Sequence, residues 1–445
     1  MKVVFIPIDN RPVCYTLPKI IAQIDENIEF YIPDRSLLGD LTKPADINNL
    51  FEWLIKTPKS DVIILSLDTL TYGGLIPSRR STETFDTIKS RVYKLKEILK
   101  SKNAEIYAFS SIMRISNNNY NIEEKEYWKQ WGKKIFEYSY NFHKTGTAKP
   151  DGIPQNILKD YIETRKRNFE INKIFLEFQQ ENIFKTLIFS KDDCAEYGFN
   201  VQEAQELEKL GGYTRTGADE IPLSLLSRAI KGKVKICPIF LEPNYKNLIS
   251  NYEDVSIENS VKGQIELAGC QACNYEDADI LLYINNFKDH QGEIVMGVDT
   301  EKFDGIFTVP DKPYMIADVR FANGSDNNFV NELLKNKIKD ENFFGYSAWN
   351  TSANTLGSLI CAAKIKMLSK KYNKKAFEKL QITRFLDDWA YQANVRQKLS
   401  NLDKRKLKSE MNNFEKKVRE IFELDLDVNY TYPWNRLFEV EIEFN

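Results

Sequence analysis

Histidine is nearly absent: His143 and His290 are the 2 histidines in 445 residues. A histidine-rich metal centre or a Ser-His-Asp triad is therefore not expected. Cysteine is sparse too. Cys14, Cys194, Cys237, Cys270, Cys273 and Cys361 are scattered along the chain, which is not a disulfide framework. Cys270 and Cys273 form a lone CxxC with no second pair at zinc-site spacing, so no metal site and no cofactor is expected. Long apolar runs are missing. Val3–Ile8 stops at Asp9, short for a signal peptide and without a small-residue cleavage site. Nothing approaches the roughly 20 apolar residues that span a bilayer. The expectation is a soluble, cytoplasmic protein with no membrane partner. A basic excess is missing as well: 62 Lys and Arg face 64 Asp and Glu, for a net charge of −2. That excludes a sequence-independent grip on nucleic acid. Neither a Walker loop nor a GxGxxG turn occurs, so nucleotide sites of those kinds are not expected.

What is present is a repeating strand–helix rhythm. Val3–Ile8, Glu29–Ile32, Val62–Leu67, Glu105–Phe109, Thr186–Phe189, Lys235–Leu241, Ile280–Ile284, Tyr314–Ala317 and Phe343–Tyr346 read as strands. Most are nearly continuous in apolar residues, as in a parallel sheet covered on both faces. Helical patterns fill the gaps. Ser81–Lys102 is the clearest, with Phe85, Ile88, Val92, Leu95 and Leu99 on one stripe. Val201–Leu210, Ser256–Ala268, Asn327–Ile338 and Ser352–Leu368 behave alike. The class is α/β, with parallel strands alternating with helices. A (β/α)8-like barrel is preferred over two doubly wound halves meeting near residue 233. Residues 1–375 form this α/β region, with a helical insertion over 121–181 broken near Gly146–Pro154. Residues 376–445 form a helical C-terminal region, helical to about Glu423. It ends in an edge strand, Leu437–Phe444, with Phe438, Val440, Ile442 and Phe444 inward and three glutamates outward.

In parallel α/β folds ligands bind beyond the carboxyl ends of the strands. The residues there are acidic, Arg, Asn and aromatic. The first strand is followed by Asp9 and Arg11, the third by Asp68, Tyr72 and Arg79, and the fourth by Arg114. Asp192 and Asp193 follow the fifth. Asn323 comes after Tyr314–Ala317, and Trp349, Asn350 and Asn354 after Phe343–Tyr346. One such residue alone is explained as a helix cap or a turn. Their recurrence at the same end of successive strands is not required by folding.

The same phrases carry a resemblance. Pro7-Ile8-Asp9-Asn10-Arg11-Pro12-Val13, the Asp68/Tyr72-Gly73-Gly74-Leu75/Arg79 segment and Lys191-Asp192-Asp193 are similar to a bacterial family catalogued as domain of unknown function 4127. So are Gly217-Ala218-Asp219-Glu220, Trp349–Gly357, Asp387-Asp388-Trp389 and Pro433-Trp434-Asn435-Arg436. The similarity covers nearly the whole chain, and its specificity lies in the combination. It implies no activity.

Adjacent carboxylates at strand ends are the apparatus of glycoside hydrolysis: one protonates the leaving oxygen and the other is nucleophile, base or orienting group. Two pairs compete as catalytic residues. Asp219-Glu220 resembles the Asp-Glu pair of family 20 hexosaminidases, which implies an orienting Asp, a general-acid Glu and 2-acetamido sugars. It departs from that pattern in Ala218, where a glycine is usual, and in having no preceding His. Asp192-Asp193 resembles the adjacent aspartates of other substrate-assisted glycosidases and follows a better-formed strand. Asp9, Arg11, Asp68, Tyr72, Arg79, Arg114, Asn323, Trp349, Asn350 and Asn354 are the expected substrate-binding residues, with Trp349 as a stacking wall. The expected partner is a small-molecule or oligosaccharide substrate. Two rivals stand beside this reading. One is a metal- or phosphate-dependent hydrolase, with Asp9, Asp68 and Asp192 on Mg²⁺ and Arg11, Arg79 and Arg114 on an anion. The other is a non-catalytic carbohydrate-binding protein.

Overall fold

The apolar runs become strands because their backbone groups pair with neighbours while their side chains bury on both faces. In the computed structural model, which describes residues 1–336, 338, 341–422 and 427–444, the chain divides into two compact units. The first comprises Met1–Asn10, Glu29–Pro222 and Tyr252–Asp254; the second comprises Arg11–Ile28, Leu223–Asn251 and Val255–Asn445.

The first unit is built on β1 (Lys2–Ile6), β2 (Glu29–Tyr31), β3 (Val62–Ser66), β4 (Glu105–Ile112), β5 (Thr186–Lys191) and β6 (Thr214–Thr216). They form one parallel sheet in the order β2-β1-β3-β4-β5-β6. Val3, Val4, Phe5 and Ile6 in β1 and Ile63, Ile64 and Leu65 in β3 are fully buried, as a sheet covered on both faces requires. Phe85–Lys100 buries Ile88, Val92, Leu95 and Leu99, as its stripe predicts. The insertion forms two helices, Trp128–Thr145 and Gln155–Gln180.

The second unit holds β7 (Lys235–Phe240), β8 (Gln271–Ala272), β9 (Ile280–Asn285), β10 (Gly292–Glu293), β11 (Tyr314–Asp318), β12 (Phe321–Ala322), β13 (Phe343–Ser347), β14 (Val428–Thr431) and β15 (Glu441–Phe444). Its main parallel sheet runs β8-β7-β9-β11-β13. Counted within each sheet, both follow the 2-1-3-4-5 order of doubly wound folds, the first with a sixth strand added. Both sheets are open, and no barrel closure is present among the described residues. This corrects the preference for a (β/α)8-like barrel. Strand–helix alternation is common to both architectures, and only the pairing order separates them.

Residues 376–445 lie within the second unit. Lys374–Arg384 continues directly into a π-helix, Phe385–Val395, before Lys404–Phe422. Lys337 and Glu423, inside or at the end of expected helices, fall outside the described residues. The last strand is shorter than expected, Glu441–Phe444, and pairs antiparallel with β14. Its period-two reading fails because Glu439 and Glu441 are buried. Glu439 is paired with Arg436 at 2.9 Å, and Glu441 accepts a 2.6 Å bond from the Thr16 hydroxyl. All six cysteines are free thiols.

Candidate active site at the carboxyl edge of the first sheet

Because β1, β3, β4 and β5 run parallel in one sheet, the segments that follow them meet at one edge. Directly after β3, Ser66 caps a short helix, Leu67–Tyr72, by accepting from the Thr69 amide at 3.2 Å. That turn places Asp68 beside the end of β4, where its buried carboxylate accepts the Ser111 amide at 2.8 Å. Burial pushes the Asp68 carboxyl up to about 7, against the hydrogen bonds from Ser111 and the Arg79 charge. Gly73, at φ 90°, ends the helix. A Cβ there would lie 2.5 Å from Pro44 Cβ, so only glycine lets the chain reverse against the neighbouring loop. The chain then enters Leu75–Arg80, which carries Arg79.

Arg79 is buried and bridges segments distant in sequence. Its guanidinium meets Glu124 Oε1 and Asp192 Oδ2, each at 3.0 Å, and Glu123 at 4.0 Å. Arg114 completes the group: Asp193 at 2.8 Å, Glu123 at 2.9 Å, Glu124 at 3.0 Å and Asp192 at 3.6 Å. Two guanidinium groups thus serve four carboxyl groups, which favours retention of a proton within the set. Asp193 is raised well above the usual carboxylate range. Burial, then the charge of Asp192, pushes its carboxyl up to about 7, while Arg114 and Arg79 pull it down. Asp193 also has a left-handed backbone, φ 43°, a conformation unfavourable for a non-glycine residue and concentrated at functional sites. The Asp192 and Asp193 side chains keep 18% and 31% of their surface exposed.

The second pair lies deeper. Asp219 and Glu220, after β6, are 7% and 2% exposed. Gly217, at φ 104°, passes so close to Glu220 that an added Cβ would sit 1.8 Å from Oε1. The Gly217 amide bonds the Lys191 carbonyl at 2.9 Å, so both pairs belong to the β5–β6 end of the edge. Asp9 and Tyr72 are buried in the same unit. The Tyr72 ring lies 5.7 Å beneath the Arg167 guanidinium, and its hydroxyl has no hydrogen-bond partner among the described residues.

The remaining expected binding residues belong to the second unit. Arg11 lies over Trp434 at 5.2 Å and reaches Cys14 Sγ at 3.7 Å. Asn354 donates to Asn350 at 2.8 Å, Asn350 to Asn323 at 2.8 Å, and Asn323 to Glu293 at 2.5 Å. Asn323 and Asn350 both have left-handed backbones, φ 60° and 55°. Trp349 is 3% exposed and packs edge-on against Phe438 at 6.3 Å, so it presents no open face for a sugar. Buried Tyr346 stacks on Phe385 at 4.7 Å instead. The anion grip is corrected too: Arg79 and Arg114 are taken up by carboxylates of this chain. Among the described residues no three His, Cys, Asp or Glu are grouped to hold a metal ion, so Asp9, Asp68 and Asp192 do not form the set considered for Mg²⁺.

Glu123 and Glu124 are the cluster members that the sequence concealed. They open an insertion whose helical pattern gives no hint that its first residues turn back to the sheet edge. The available signal was charge: two buried arginines at strand ends need carboxylates.

No helix among the described residues is long and apolar enough to cross a membrane. No curated protein and no solved structure gives a significant match. A family model does match, over residues 3–443, and the chain belongs to that family, described as protein of unknown function (DUF4127).

Proposed function

We propose that this protein is a hydrolase that cleaves a glycosidic bond, with Asp193 as the general acid and Asp192 as the orienting or stabilising carboxylate. The observation that carries the reading is the shared grip on the pair: one Arg114 nitrogen lies 2.8 Å from Asp193 and 3.6 Å from Asp192, while Arg79 holds Asp192 at 3.0 Å. Two adjacent carboxyl groups in unequal environments are the pattern that divides acid from partner. A group with a pKa near 7 can deliver a proton at neutral pH. Access favours the first pair, because a general acid must reach the leaving oxygen. Asp192 and Asp193 retain surface, whereas Asp219 and Glu220 are covered. Buried Asp68 accepts the Ser111 amide and so ties the segment after β3 to the end of β4. The substrate class includes 2-acetamido sugars, whose acetamido group Asp192 would orient.

The test is turnover of a panel of aryl glycosides, 2-acetamido sugars included, by the wild type and by Asp192→Asn, Asp193→Asn, Asp219→Asn and Glu220→Gln. Asp193→Asn is expected to lose at least about 10²-fold in turnover, the ordinary worth of general acid catalysis. A loss confined to Glu220→Gln transfers the role to the second pair. Binding without turnover in the wild type makes the protein a carbohydrate-binding module. Turnover only of phosphate esters, or only with an added divalent ion, assigns it to a different hydrolase class.

A further inference from the structure

The first unit contains a cleft of about 560 Å³ that the acid cluster does not use. Its walls are the loop after β2 and the two short helices after β3. In the order β2-β1-β3-β4 the connection leaving β1 runs to β2 and the connection leaving β3 runs the opposite way to β4, so the two separate at the carboxyl ends of β1 and β3. A doubly wound fold opens its ligand crevice at that place. The walls are preformed. The Ala45 amide bonds the Gly73 carbonyl at 2.8 Å and the Asn10 amide bonds the Gly39 carbonyl at 3.1 Å. A Cβ on Gly39 would sit 2.3 Å from that same Gly73 oxygen.

The lining decides what the cleft can hold. Four charged side chains border it, and each is already satisfied within the protein. Asp46 caps the helix Ile47–Lys56 through Asn49 at 3.1 Å. Arg80 donates to the carbonyls of Leu41 and Glu124 at 3.0 Å, of Asn121 at 3.2 Å and of Ile122. Arg91 and Glu83 pair through the two terminal guanidinium nitrogens, at 3.0 and 2.5 Å. An anionic ligand would find Arg91 already paired with Glu83 and Arg80 already donating to four backbone carbonyls. The rest of the lining mixes apolar residues, Pro44, Ile47, Ile76 and Pro77 among them, with the neutral polar side chains of Thr42, Tyr72 and Ser81 and with exposed Asn48 and Thr82 at the border. Neither Asn48 nor Thr82 spends its side chain on a hydrogen bond to another described residue. Apolar patches with a few neutral donors and acceptors beside them are the composition of a small-molecule pocket.

We propose that this cleft binds an uncharged, hydroxyl-bearing ring of pyranose size, its apolar face against Pro44, Ile76 and Pro77 and its hydroxyls on Asn48 and Thr82. Arg79 enters the acid cluster and the adjacent Arg80 lines the cleft. Both also fix Glu124, one at the carboxylate and the other at the carbonyl. The two sites therefore share a wall. The proposal does not require that Asp193 be catalytic.

The experiment is calorimetric titration of the full chain with methyl β-glucopyranoside and with its 2-acetamido counterpart, using glucuronate and inorganic phosphate as charged comparisons. The neutral glycosides are expected to bind the wild type and Asp193→Asn with affinities within about twofold. The double variant Asn48→Ala/Thr82→Ala should weaken them by roughly 10-fold or more, the loss of two ordinary hydrogen bonds. Thr82→Trp, which fills the mouth from an exposed position, should abolish binding with an unchanged melting temperature. If Thr82→Trp does not fold, the alanine variants decide. Failure of both glycosides to bind the wild type overturns the proposal. So does binding untouched by the cleft variants, or preferential binding of phosphate or glucuronate that those variants remove. Glycoside binding retained while Asp193→Asn leaves turnover intact refutes the catalytic reading and keeps this one.

Discussion

The two sheets share a winding order and differ at their carboxyl edges. In the first unit the edge gathers two arginines and four carboxyl groups, and its aspartate pair keeps measurable surface. In the second, the equivalent residues form a closed network. Asp318, at the end of β11, accepts from Asn285 at 2.8 Å, from the Asp326 amide at 2.8 Å and from the Tyr346 hydroxyl at 3.1 Å. Arg320 donates to Asn285 and Glu242, each at 3.0 Å, and to the Glu301 carbonyl at 2.9 Å. Asp318, Arg320, Asp326 and Tyr346 are all buried. Acidic and basic residues at a strand end thus do not by themselves mark a reaction centre. In the second sheet they satisfy one another and hold loops, while in the first they leave carboxyl surface accessible.

The contrast breaks most readily at Arg320. Arg320→Met removes the cation facing fully buried Asp326 at 3.6 Å, together with the donor to buried Asn285 and to half-buried Glu242, and should cost about 3–5 kcal/mol in a urea-unfolding measurement, the price of an uncompensated buried charge. Arg114→Gln should cost clearly less, because Arg79 still faces Glu124 and Asp192. An equal loss would make the first cluster as structural as the second.

Gly217→Ala comes next. The left-handed backbone and the approach of Glu220 both oppose a Cβ, so a loss of roughly 1–3 kcal/mol is expected. An unchanged melting temperature would show that the β6 loop relaxes freely.

A pH series sharpens the same comparison. Burial raises Asp68 and Asp318 to about 7 and Asp387 to about 8. Their unfolded values lie near 4. The native state therefore holds protons that the unfolded chain releases. The stability from these groups is complete below about pH 4 and is lost as pH rises through about 7–8. Urea-unfolding free energy should be lower at pH 8 than at pH 5, and Asp318→Asn and Asp387→Asn should each flatten that slope. The smallest effect is expected on the acid itself. Arg114→Gln withdraws a charge that lowers Asp193, so the acidic group in the pH–rate profile should move upward.

The sequence made the strands legible because burial on both faces leaves unbroken apolar runs such as Val3–Ile6 and Ile63–Leu65. It missed β6, Thr214–Thr216, which is short and polar, and the two-residue β8. It favoured the wrong closure because pairing order leaves no trace in periodicity. In the candidate site Asp192, Asp193, Arg79 and Arg114 were visible as strand-end residues. Glu123 and Glu124 were not, since their approach depends on a long insertion folding back. Trp349 misled for the opposite reason: an aromatic after a strand reads the same whether it lines a cleft or packs on Phe438.

The most direct test of the central claim is the leaving-group dependence of Asp193→Asn. A general acid matters in proportion to the basicity of the leaving oxygen. The account predicts a loss of about 10²-fold or more on an alkyl glycoside and a much smaller loss on a dinitrophenyl glycoside, whose leaving group needs no proton. Equal losses on both substrates, or none on either, would contradict the assignment of Asp193 as the acid.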